Sequence, residues 1–127
     1  MLAQRSPQEA YRRVDFDARV AGADSRQLVA LCYEQLTTAL GTALFAAQAG
    51  DNRLKSQSLT RALSAITALQ LGISDTSPVA EALRQFYDSA RKAVLDSVID
   101  FDADTIAAIR RDCADIAAAM LQGAARQ

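Results

Sequence analysis

Residues 27–48 read Gln-Leu-Val-Ala-Leu-Cys-Tyr-Glu-Gln-Leu-Thr-Thr-Ala-Leu-Gly-Thr-Ala-Leu-Phe-Ala-Ala-Gln, and the fold follows from the spacing of their apolar side chains. Leu28, Leu31/Cys32, Leu36, Ala39/Leu40, Ala43 and Ala47 recur at steps of three and four, and Val29, Tyr33, Leu36, Leu40 and Leu44 repeat the step beside them. Two adjoining stripes cover more than the roughly 100° that one core contact needs. Such a helix is either central to a bundle or offers part of its side to something else.

Working outward, Asp24 followed by Gln27 forms a capping pair that starts this helix at Ser25. Gly50 ends it and Asp51 caps the next helix at once, which implies a tight antiparallel connection. Gly41 interrupts the helix interior, and its expected compensation is the close approach of a neighbouring helix. A second helix, about 52 to 70, puts Leu59, Ala62/Leu63, Ile66 and Leu69 on one face, with Gly72 as its stop. Ser77-Pro78 reads as cap and first helical residue of a third helix to about 99, with Val79, Leu83, Phe86/Tyr87, Ala90, Val94 and Val98 in phase and Leu95 and Ile99 beside them. After Asp100, Asp102 and Asp104, a fourth helix carries Ile106, Ile109, Cys113, Ile116 and Met120 at the spacing of a bundle seam.

Before all of these, residues 1–23 read as an N-terminal arm. Ser6-Pro7-Gln8-Glu9 starts a short helix, and Tyr11, Val14, Phe16 and Val20 supply apolar anchors. The expected architecture is all-α: an antiparallel up-down-up-down four-helix bundle over 24–123, with the arm laid across it.

Bulk composition agrees with this reading. The 127 residues are 50% hydrophobic and 23% charged, with five Gly and two Pro, so helix breakers are scarce. A formal net charge of -1 with mixed signs gives no basic face, and Arg12-Arg13 followed by Asp15 and Asp17 is too small a cluster for nucleic acid. No uninterrupted apolar run reaches the roughly 18 residues of a membrane span, and no signal peptide is visible, so a cytoplasmic chain without membrane insertion is expected. Cys32 and Cys113 are expected to be buried free thiols.

The same residues argue against catalysis and cofactors. Bundle metal sites use Glu-x-x-His pairs or inward carboxylates, and the chain has no histidine. Asp100, Asp102 and Asp104 resemble the opening of a calcium loop, but Thr105 occupies the glycine position and Arg111 the twelfth, where a bidentate glutamate is required. Neither thiol has a base beside it in sequence, and no glycine-rich phosphate loop occurs. What remains is surface: Tyr11, Tyr33, Tyr87 and the adjacent Phe86, with the double stripe, predict an apolar groove wider than folding requires.

Taken in order, Tyr11-Arg12-Arg13-Val14, Gln27 to Glu34, Gly50-Asp51, Leu59-Thr60-Arg61-Ala62-Leu63 with Ile66, and Leu83-Arg84-Gln85-Phe86-Tyr87 resemble the flagellar secretion chaperones of the FliS type, over about residues 10 to 120. The chain departs from that pattern at Asp24-Ser25, where Ser-Pro is usual, at Ala82, where Asn is usual, and near Met120, where Trp is usual. The resemblance implies a cytoplasmic chaperone, with no cofactor, that binds the disordered C-terminal segment of flagellin, prevents early polymerisation and delivers it to the type III export apparatus. The groove is then expected at Leu28, Tyr33, Leu63, Ile66, Phe86, Tyr87 and Ala90, covered by an arm that uses Tyr11 and Val14 as a lid. A rival reading is a self-associating helical-bundle scaffold, monomer or homodimer in solution, or a regulator that takes another amphipathic helix.

Overall fold

The computed structural model describes residues 24–125. Four helices run through them: α1 Ser25–Ala49, α2 Asn52–Leu71, α3 Ala80–Ile99 and α4 Ala103–Ala125. Each helix packs on two neighbours, α1 on α2 and α4, α3 on α2 and α4, which closes the ring of an all-α four-helix bundle. The expected arm with Tyr11 and Val14 lies outside the described residues.

The helix ends are where the capping residues put them, with one exception. Asp24 accepts from the Gln27 amide and Gln27 Oε1 accepts from the Asp24 amide, both at 2.9 Å, completing the capping box of α1. Gly50 takes the left-handed conformation at φ 74°, and the Asp51 amide donates to the Ala46 carbonyl at 2.8 Å. The Asp51 carboxylate then accepts from the Leu54 amide at 3.0 Å to start α2. α3 begins later than its sequence signal. Ser77 and Pro78 form a turn instead, in which the Ser77 carbonyl accepts from the Ala80 amide at 3.2 Å and its hydroxyl from the Val79 amide at 3.3 Å. The Arg84 guanidinium ties that turn down through Asp75. At the start of α4 the Asp102 carboxylate accepts from the Thr105 amide at 3.2 Å and hydroxyl at 2.8 Å, which holds its carboxyl below the usual range.

The two stripes of α1 are explained by its place in the ring. Leu31, Tyr33, Leu36, Ala39, Leu40, Ala43 and Ala46 are all buried, facing α2 on one side and α4 on the other. The core adds Leu59, Ala62, Ala65, Ile66 and Leu69 from α2, Tyr87, Ala90 and Val94 from α3, and Ile106, Ile109 and Cys113 from α4. By length and composition alone α1 is apolar enough over 18 residues to cross a membrane. Its apolar side chains are instead the ones that build this core.

In α3 the expected phase slips at its end. Ser97, not Val98, occupies the buried position after Val94, because a step of three keeps the seam where a step of four turns it outward. The Ser97 hydroxyl is spent on the connection, accepting from the Asp102 amide at 3.5 Å. Val98 is left exposed.

Candidate functional site

Polar side chains bridge the α1–α4 and α2–α3 contacts. Between α1 and α4, the Arg110 side chain lies over Gly41 and Nε donates to the Thr37 carbonyl at 3.1 Å. A Cβ at Gly41 would stand 3.0 Å from that Nε, so the glycine admits a guanidinium rather than a neighbouring backbone. Between α2 and α3, Arg91 donates to Thr67 Oγ1 at 2.6 Å and to Gln70 Oε1, and Gln70 Nε2 donates to Asp88 Oδ1 at 2.9 Å. Small buried side chains, Ala39, Ala43 and Ala46 on α1 and Ser58, Ala62 and Ala65 on α2, let those two helices pack closely. The contact between α3 and α4 is the loosest of the four.

Across the middle of the ring, Tyr33 of α1 and Tyr87 of α3 meet with their hydroxyls hydrogen-bonded to each other and their ring centroids 6.4 Å apart. They are 1% and 2% exposed. Burial raises both phenol pKa values, and the Cys113 thiol of α4 is close enough to raise both further. Burial pushes Cys113 itself up to about 12, and Cys32 is also raised by burial. Both cysteines are free and both stay neutral thiols, the unreactive form.

Phe86 stands edge-on to Tyr87, 5.9 Å between centroids, and is only half-buried. Other apolar side chains of the same half of the bundle are also only partly covered. Val29 and Cys32 of α1, Leu83 and Phe86 of α3, and Ile116 and Met120 of α4 are packed against the core yet partly exposed. In an antiparallel ring these positions share one end, where α1 and α3 begin and α4 finishes. There the partly covered Leu83, Phe86, Ile116 and Met120 lie at the surface of the α3–α4 contact, and Tyr33, Tyr87 and Cys113 are buried in the core.

The expected groove residues divide by depth. Tyr33, Ile66, Tyr87 and Ala90 are buried in the protein's own core, while Leu28, Leu63 and Phe86 are half-buried. Phe86 and Leu63 pack against the core, Leu63 one turn before the Thr67 that meets α3, while Leu28 is not among the side chains packed there. Leu83, Ile116 and Met120 were not among the expected groove residues. Their signal in the sequence is the end of the α4 stripe, where Ile106, Ile109 and Cys113 are buried and Ile116 and Met120, in the same phase, are not.

A four-helix bundle with a tyrosine pair at its centre and partly covered apolar side chains along one helix contact is the class of fold these observations define. Residues 7–125 match the family model described as Flagellar protein FliS, and the chain belongs to that family, one of flagellar export chaperones and not of enzymes. No curated protein matches the chain by sequence.

Proposed function

We propose that this chain is a cytoplasmic carrier for flagellin, receiving the disordered C-terminal segment of that protein in the trough between α3 and α4 and releasing it at the export apparatus. The observation that carries this is the half-buried ring of Phe86, braced edge-on by Tyr87 and flanked by Leu83, Ile116 and Met120, at the one helix contact that is packed loosely. An apolar trough accepts the hydrophobic face of a segment that folds as it binds, and an unfilled trough is an aggregation hazard that a lid would reduce. Residues 1–23 lead into α1 at that same end, so Tyr11 and Val14 are the lid in this reading. Family membership and the neutral state of both thiols support a binding role rather than catalysis.

Calorimetry with a peptide from the last forty or so residues of a flagellin tests the proposal. Binding with a large negative heat-capacity change and gained helicity is expected. Phe86→Ser should weaken it by about 2 kcal/mol, roughly thirtyfold, the loss of a buried ring. Removal of residues 1–20 should tighten or speed binding if the lid reading holds. Absence of binding, or binding indifferent to Phe86→Ser, overturns the assignment of the trough. A stable dimer at low micromolar concentration that ignores the peptide favours the scaffold reading instead.

A further inference from the structure

The end of α4 is held differently from its start. Ile106, Ile109 and Cys113 are buried, and among the described residues of α4 no side chain after Cys113 is. Beyond it Ile116, Ala117 and Met120 pack against the core, each partly covered, while Ala114, Asp115, Ala118 and Ala119 are exposed. The polar ties of α4 stop earlier still. The Ser97–Asp102 bond holds its start and the Arg110–Thr37 bond holds it about two turns further on. Among the described residues no hydrogen bond or ion pair joins α4 beyond Arg110 to another helix.

From Ala114 to its end α4 therefore makes about three turns, roughly 18 Å of helix, supported by half-covered side chains at the loosest of the four contacts. A helix of that length is marginal in water without packing. Segments with few buried apolar contacts open locally while the rest of a domain stays folded. The same turns carry the pattern of a segment that an apolar site receives. Ile116 and Met120 stand four apart on one face, the spacing with which an amphipathic helix presents its anchors. With Leu83 and Phe86 of α3 they lie at the surface of the α3–α4 contact.

We propose that the turns of α4 after Cys113 are an internal strap, which occupies the place of the bound segment in the free chain and lifts away when that segment arrives. Resting on the flagellin reading, this divides the half-buried side chains of the seam into two parts. Leu83 and Phe86 receive the client, and Ile116 and Met120 compete with it. A client that takes only the open form binds with an apparent affinity reduced by the fraction open. A change that loosens the strap without touching α3 therefore tightens binding, by the factor by which it raises opening.

Amide hydrogen exchange of the full chain, resolved by residue, with and without the flagellin tail peptide, tests this beside calorimetry of the parent and Ala118→Gly. In the free chain, amides from Asp115 to Gln122 are expected to exchange at a common rate, at least about tenfold faster than those from Ile106 to Cys113, with a step at Cys113. On saturation with peptide, amides after Cys113 should lose protection while those from Leu83 to Ala90 gain it. Ala118 is exposed, so glycine there acts on the strap's helix alone. It should raise both the exchange of the strap and the affinity for the peptide about fivefold, the propensity difference between the two residues. Protection gained after Cys113 on binding, or weaker binding by Ala118→Gly, makes those turns a fixed wall and overturns the strap. Exchange that rises smoothly along α4 in the free chain, without a step, also overturns it, as ordinary fraying of a helix end. A peptide that fails to bind refutes the flagellin reading instead, and the step at Cys113 in the free chain, present or absent, still decides whether the strap opens.

Discussion

Changing Tyr33 to Phe removes one hydroxyl and leaves its partner without one. The two phenols are almost fully enclosed and hydrogen-bond to each other across the ring, from α1 to α3. In Tyr33→Phe the Tyr87 hydroxyl stays buried and unpaired, at a cost of about 1 to 3 kcal/mol, and Tyr87→Phe does the same to Tyr33. In the double variant no polar atom is stranded. Its cost is only the net worth of the lost hydrogen bond, about 0.5 to 1.5 kcal/mol, so it should be no less stable than either single variant. With singles at about 2 kcal/mol each and the double near 1, the coupling is about 3 kcal/mol, at the upper end of measured pairs. For a domain of this size each kcal/mol moves the melting temperature by about 3 to 6 °C. Four proteins melted by circular dichroism, with urea titrations to check that the slope is constant, decide the matter. If the double variant loses the sum of the two singles, the hydroxyls act independently and the pairing described here is wrong. The singles should also loosen Phe86, which braces on Tyr87, so a lowered affinity at the trough is expected to accompany the lowered stability.

Alkaline unfolding should be set by the same layer. Cys113, Tyr33 and Tyr87 all have folded pKa values raised above 9 for the thiol and 10 for the phenols. Unfolding therefore releases protons above those values, and stability that is full below pH 9 falls as pH rises toward 12, by up to about 1.4 kcal/mol per pH unit for each group. A urea midpoint that stays flat from pH 8 to 11 would contradict this burial. Ser58 Oγ is buried on α2 with no hydrogen-bond partner. Ser58→Ala should raise stability by about 1 to 2 kcal/mol, through the lost desolvation penalty and better helix propensity, and a lower midpoint would show that the hydroxyl is satisfied in solution. At Gly50 an added Cβ meets nothing within 4 Å, so Gly50→Ala isolates the backbone cost of the left-handed φ, about 1 to 2 kcal/mol. Gly50→Asn should cost less, and an unchanged midpoint in the alanine variant would mean the turn has another route.

The order and ends of the helices were legible because each depended on a side chain reaching its own backbone. Asp24 with Gln27, Gly50 with Asp51, and Gly72 act within a few residues, which is the range over which a sequence can be read directly. Ser77-Pro78 carries the same kind of signal and starts no helix, because the Ser77 carbonyl and hydroxyl are taken by a turn through Ala80 and Val79. Depth was less legible than face. Periodicity puts Tyr33 and Tyr87 toward the interior, but whether a tyrosine can sink completely depends on a partner for its hydroxyl, and here that partner is 54 positions away. In the same way nothing local distinguishes Ile109, which is covered, from Ile116, which is not. That difference is made by how closely α3 and α4 approach along their length, a property of the ring and not of either helix.

The uneven fastening of the ring has a consequence for binding. Three of its four contacts have their own means of closure, alanines between α1 and α2, Arg91 between α2 and α3, and Arg110 between α1 and α4. The fourth, between α3 and α4, shares the buried Val94, Ile106 and Ile109 of the core and is flanked by half-buried apolar side chains and the short connection at Phe101. In the proposed reading, a ligand that slides between Leu83, Phe86, Ile116 and Met120 displaces contacts that are only partly covered, while the hydrogen-bonded Tyr33–Tyr87 pair still ties α1 to α3. Because the displaced surface is only partly covered to begin with, a bound segment gains apolar burial there at small loss to the fold. A seam closed by clasps like that of Arg91 would first have to break charge-assisted bonds worth about 1.5 to 3 kcal/mol each. In the proposed reading, that seam is where a foreign helix is taken up and given back without unfolding its carrier.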